Sequence, residues 1–309
     1  GAGNDTFSAI ESSTTPVSDS MTAGDSLVGG EGTDKLIVAV SGNIATTAGV
    51  ATSGIEAASI FNNNAAQTYT LDATLMTGLA DVYVNGGTSA TIVSGVGSLP
   101  NLHLTSTSQN ATVTASAAAT AGDASAVTVA SNATALTGTA TATYNGIETI
   151  NLAVAGSTGT GGLTNYRLNL ASDQLETINV TGAANAYVAA TFTGSAADTQ
   201  TSTFDASAAT GNISIDFTRG ASATSAVTMG AGDDHVDFLS TLSEKDVIVG
   251  GEGTDTFEIG GTNDYGTTAA TQDNGSGVSG FEALRLKSAA VVDARILTNN
   301  TAITNVVFE

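Results

Sequence analysis

The sequence predicts an elongated, all-β fold, a parallel solenoid in which short strands stack coil upon coil. Three observations carry this expectation. The 309 residues are 41% hydrophobic, yet only 5% are aromatic and none is Trp. A compact core normally leans on large side chains, whereas Ala, Val, Thr and Ile suit thin stacked β layers. Strand-like segments recur about once per 20–30 residues, as coils of a repeat architecture do. Glycine-rich turns carrying aspartate recur in two blocks, and with only two prolines beside 36 glycines they read as ordered turns.

Three segments follow from composition. Residues 1–61 and 229–309 hold the glycine–aspartate turns, and 62–228 form a Thr/Ala-rich solenoid between them. The middle segment alternates, as in Ala111-Thr-Val-Thr-Ala and Ala126-Val-Thr-Val-Ala, which is the strand period. Two further echoes run through it. One is hydrophobic-Glu before a strand, at Gly146-Ile-Glu-Thr-Ile and Gln174-Leu-Glu-Thr-Ile. The other is hydrophobic-Asp-Ala, at Leu71, Phe204 and Val292. Helix signals are sparse. Residues 73–80 allow one or two turns, and 117–126 are Ala-rich but interrupted by Gly122.

Seven basic residues face 29 acidic ones, a net charge of −22. Nucleic acid and anionic lipid are poor partners for that field, and divalent cations are good ones. No apolar run is long enough to span a bilayer. Cysteine is absent, so a secreted chain of this kind needs a staple other than disulfides, and bound metal is the obvious candidate. Gly1 falls inside a turn motif, so the chain reads as a fragment.

The acids are clustered. Residues 230–264 hold nine of them, among glycines, and 101–170 hold only Asp123 and Glu148. Carboxylates in tight glycine turns offer hard oxygen ligands beside exposed carbonyls, the environment Ca²⁺ prefers. The first block reads Gly1-Ala-Gly-Asn-Asp, Ala23-Gly-Asp, Gly29-Gly-Glu-Gly-Thr-Asp and Ser53-Gly-Ile-Glu. The second reads Gly230-Ala-Gly-Asp-Asp, Lys245-Asp, Gly250-Gly-Glu-Gly-Thr-Asp and Ser279-Gly-Phe-Glu.

These blocks resemble the RTX nonapeptide, Gly-Gly-x-Gly-x-Asp-x-hydrophobic-x, of type I-secreted bacterial proteins. Residues 29–37 and 250–258 match every fixed position, and 229–237 miss only the first glycine. The resemblance implies a β-roll with calcium between stacked turns. It gives as ligands Asp5, Asp25, Asp34, Asp233, Asp234, Asp246 and Asp255, with turn residues Gly1, Gly3, Gly30, Gly32, Gly230, Gly232, Gly251 and Gly253. Two nonapeptides per coil place Asp25 opposite Asp34, and Asp246 opposite Asp255. They stack Asp5 on Asp25 and Asp234 on Asp255, with Glu56 a further partner for Asp34.

In composition the whole chain is similar to the calcium-dependent surface-layer proteins of Gram-negative bacteria. That likeness implies a secreted, cell-surface subunit whose partners are its own copies in a lattice. It also implies attachment to surface polysaccharide through a region outside this chain. An RTX adhesin segment is the alternative, and an extracellular polysaccharide-active enzyme a third reading. No catalytic residues are expected. His103 and His235 lack a Cys or second His nearby, no Gly-x-Ser-x-Gly elbow occurs, and neither proline follows an aspartate, as an epimerase's Asp-Pro-His would require. The six scattered tyrosines read as rung covers.

Overall fold

A computed structural model describes residues 1–11, 20–22, 24–41, 50–64, 67–85, 90–96, 100–104, 110–115, 124–131, 137–156, 165–193, 200–219, 224–240, 242–260, 264–265, 275–287, 291–292, 297 and 299–308. The chain winds as a parallel β-solenoid, with no α-helix among those residues. One sheet has twelve strands, from Thr6–Glu11 to Val278–Ser279. The other has eleven, from Tyr69–Asp72 to Asn305–Phe308. A three-stranded sheet, Ser26–Val28 with Ala51–Ser53 and Met76–Thr77, flanks the first coils. Every described pairing is parallel. Rung on rung at ~4.8 Å, the twelve-stranded sheet runs roughly 50 Å.

The strands form because alternate residues are apolar and β-branched. In Lys35–Val40, Leu36, Val38 and Val40 are buried while their neighbours face outward. The inward residues of both sheets meet in one continuous core. Val, Ile and Leu fill its early coils. Later coils instead stack Phe192, Phe217, Phe238, Phe257 and Phe281, with successive ring centroids 4.8, 5.5, 6.3 and 5.3 Å apart. Five of the chain's nine phenylalanines are thus spent on one ladder, which the low overall aromatic content conceals.

The hydrophobic-Glu echoes mark corners of the coil, three leading into the twelve-stranded sheet (Glu56, Glu148, Glu176) and one into the eleven-stranded sheet (Glu282). Ile55, Ile147, Leu175 and Phe281 are fully buried there. The glutamate that follows each of them stands immediately before a strand, and its carbonyl accepts the next rung's first amide at Glu56, Glu148, Glu176 and Glu282. Residues 73–80 are a turn followed by the two-residue strand Met76–Thr77, not a helix: Met76 N donates to Ala73 O, and Thr52 N to Leu75 O, so the segment pairs laterally. Residues 117–123, with Gly122 and Asp123, lie outside the described residues. Of the tyrosines, Tyr69 and Tyr144 are core residues, about 1% exposed, while Tyr83 and Tyr187 sit on outer sheet faces.

Candidate functional site

In each block two glycine turns lie directly on one another. Turn 1–5 stacks on 30–34 through the Ala2–Glu31 bridge, and turn 230–234 on 251–255 through Ala231–Glu252. A Cβ on Gly30 would fall 2.1 Å from Gly1 O, and one on Gly32 2.4 Å from Gly3 O. Gly251 and Gly253 would meet Gly230 O and Gly232 O at 2.2 and 2.0 Å. All four glycines have φ between 104° and 129°. Only glycine meets both demands, which is the physical content of Gly-Gly-x-Gly at this position.

The aspartates that close these turns form two ladders. Asp34 Oδ1 accepts the Asp5 amide at 2.6 Å, and Glu56 Oε2 accepts the Asp34 amide at 2.7 Å. In the second block Asp234 Oδ1 accepts the Ile213 amide, Asp255 Oδ1 the Asp234 amide and Glu282 Oε2 the Asp255 amide, at 2.7, 2.8 and 2.7 Å. The first ladder heads strands of the twelve-stranded sheet, the second strands of the eleven-stranded one. Beside the second, Asn185 Oδ1, Asn212 Oδ1 and Asp233 Oδ1 accept the amides of Asn212, Asp233 and Thr254.

The expected stacking of Asp234 on Asp255 is present, as is the Asp34–Glu56 partnership. Asp25 stands before a strand of the three-stranded sheet, apart from Asp34, and Asp246 heads a strand of the sheet opposite Asp255's. The expected stacking of Asp5 on Asp25 is corrected: Asp5 stacks on Asp34. The first coil has 29 residues from Thr6 to its partner Lys35, because a lateral strand, Ser26–Val28, is inserted within it. The nonapeptide count assumed a coil of about twenty. Glu282 was not among the expected ligands, although the matching Ser53-Gly-Ile-Glu and Ser279-Gly-Phe-Glu echoes pointed to it.

The second oxygens decide what each aspartate can hold. Asp34 and Asp255 are both 0% exposed, and Oδ2 of each is buried with no hydrogen-bond partner. A carbon placed at the Gly29 Cβ position would lie 2.2 Å from Asp34 Oδ2 and 1.8 Å from Gly54 O. At Gly250 the matching values are 2.9 Å from Asp255 Oδ2 and 2.0 Å from Gly280 O. A carboxylate oxygen and a carbonyl therefore converge on the corresponding glycine in both blocks. An ionised oxygen buried without a donor is costly, so the position calls for a proton or a cation. Burial, with help from Asp234, Glu282 and Asp233, pushes the Asp255 carboxyl up to about 7. Burial and Asp233 push Asp234 up to about 6, against backbone donors at Ile213 and Gly230.

Asp246 supplies the internal comparison. Its Oδ1 accepts the Ser225 amide, as its counterparts accept theirs. Its Oδ2, however, takes the Ser243 amide and hydroxyl and the buried guanidinium of Arg219 at 2.9 Å. Asp246, expected as a ligand, thus differs from Asp34 and Asp255 in having a fixed cation at that oxygen. Asp25 Oδ2 accepts the amide and hydroxyl of Thr22, an exposed cap three residues back. Among the described residues no three carboxylate or imidazole side chains converge on a metal position. An ion at either ladder would hence draw most of its oxygens from turn carbonyls, as Ca²⁺ readily does.

Each histidine has a carboxylate partner. His103 Nε2 meets Asp81 at 2.8 Å and its ring stacks on Tyr83; His235 Nε2 meets Glu258 at 2.8 Å. No protein-family model, curated protein or solved structure matches the chain.

Proposed function

We propose that the chain is a structural, calcium-folded subunit of a self-assembling bacterial surface layer. One observation carries the calcium half of this reading: buried, unpartnered carboxylate oxygens at equivalent positions of two separately stacked glycine turns, Asp34 and Asp255. The third such corner, Asp246, has an arginine in that place. Stacked acids one rung apart repel, and a divalent ion turns the same geometry into a clamp. Folding and metal uptake are then one equilibrium. The lattice half draws support from the resemblance in composition, charge and absence of cysteine.

The test is to strip the chain with a chelator, restore millimolar Ca²⁺, and follow far-UV circular dichroism beside negative-stain electron microscopy. β signal returning together with ordered two-dimensional arrays is the expected result. β signal with monomeric particles would retain calcium folding and favour an adhesin segment. A chain indifferent to calcium in both traces overturns the reading.

A further inference from the structure

On the outer face of the eleven-stranded sheet lies a groove of about 460 Å³, within the range of small-molecule sites. Tyr187, Ser214 and His235 occupy three successive rungs of one column. Asp216, Asp237, Glu258 and Arg285 occupy successive rungs of the next. In a chain of net charge −22, three of its seven Lys and Arg residues gather here. Arg167 pairs with Asp216 at 2.8 Å, Lys287 with Asp237 at 2.8 Å and with Glu258, and Arg285 with Glu258 at 3.4 Å. Three of the four acids lining the groove, Asp216, Asp237 and Glu258, are paired in this way, and Asp233 is the fourth.

Its unused hydrogen-bonding capacity is specific. The ladder bonds of Asn185 and Asn212 occupy their Oδ1 atoms, which turns both Nδ2 groups into donors held one rung apart, ~4.8 Å. At the opposite side Asp237, which lines the groove and is 6% exposed, keeps Oδ1 buried without a partner. The Lys287 side chain, half-exposed, holds the other oxygen, Oδ2, and also pairs with Glu258.

From this arrangement we propose that the groove binds a neutral pyranose unit of a glycan lying along the solenoid axis. A sugar offers what the lining lacks: hydroxyls that both donate, to Asp237, and accept, from Asn185, Asn212 and Ser214. The rung spacing is close to the length of one sugar ring. The Tyr187 phenol is anchored on both oxygens of Asp216 at 2.9 and 3.0 Å, which fixes its ring beside the groove. An apolar ligand would meet a mostly polar lining, and a multiply charged anion would face four carboxylates. The proposal does not rest on the calcium reading, although Asp233 belongs both to the groove and to the second glycine turn.

The test is saturation-transfer NMR on the full chain with methyl glycosides of glucose, galactose, mannose and N-acetylglucosamine as probes. At least one probe should show transfer, reduced fivefold or more in Ser214→Tyr, which fills the groove from an outward position, and in Asp237→Asn. Tyr83→Ala, on the other sheet, should leave transfer unchanged. If Asp237→Asn does not fold, Ser214→Tyr decides alone. No transfer from any probe, or equal transfer in Ser214→Tyr, overturns the proposal. So does a response of the His235 ring to inorganic phosphate without glycoside transfer, which would make the groove an anion site.

Discussion

One atom separates the two kinds of corner in this solenoid. Oδ2 is unpartnered in Asp34 and Asp255 but meets a guanidinium in Asp246. Asp255→Asn keeps an Oδ1 for the Asp234 amide and removes the charge. It should leave the calcium-free protein as stable as the wild type or more so, while weakening calcium affinity about tenfold or more, read by calorimetric titration. The pH dependence has a definite sign. Without metal, the raised Asp234 and Asp255 carboxyls, about 6 and about 7, keep protons in the folded state that the unfolded chain has already lost. Their contribution therefore falls as pH rises through the window from about 4 to 7, and Tm in chelator should be lower at pH 8 than at pH 5 from this source. Calcium, competing with those protons, should flatten that slope, and Asp255→Asn should reduce it without calcium. Arg219→Met strands a buried carboxylate and should cost about 3–5 kcal/mol by denaturant unfolding. Excess calcium should recover part of that loss in Arg219→Ala, where room is left for an ion.

Among the elements, the glycine turn and the phenylalanine ladder stand at opposite ends of legibility. Gly-Gly-x-Gly-x-Asp could be read directly, because its demands for positive φ and for no Cβ under a stacked carbonyl fall on contiguous residues. Gly251→Ala should cost about 1–3 kcal/mol from backbone strain alone, with the 2.2 Å approach to Gly230 O added, as a lowered Tm would show. The strands, too, were legible from alternation. The stacking partner of Asp5 was not. It depends on coil length, and a three-residue lateral strand changes that length without leaving a periodic trace. The Arg219–Asp246 pair, 27 residues apart, was equally invisible, since spacing places Asp246 at a corner but says nothing of what arrives from the neighbouring coil. The phenylalanine ladder was not legible, because spacings such as 21 from Phe217 to Phe238 become a ladder only once the register is known. Phe238→Ala should cost about 3–5 kcal/mol, measurable in chelator and in calcium alike because no carboxylate ladder is touched.

Across the whole molecule, each coil touches chiefly the coil above and the coil below, so stability is a chain of nearest-neighbour terms rather than one shared core. The two carboxylate ladders head different sheets, one in the first coils and one in the last described coils. A solenoid clamped at both places and unclamped between them should melt in calcium at a temperature set by its middle coils, and in chelator at one set by its first coils, which lack the phenylalanine ladder. The phenylalanine ladder makes that series uneven. Coils from Phe192 to Phe281 bury an aromatic ring each, while earlier coils bury mostly Val, Ile, Leu and Ala. Native-state hydrogen exchange in chelator should accordingly show protection that climbs along the axis, lowest among the strands before residue 100 and highest around Phe217 and Phe238. The molecule would then behave as a zipper with a preferred direction of opening, in which a pull or a warming step undoes the aliphatic coils first and leaves the aromatic stack as a folded remnant from which rewinding restarts.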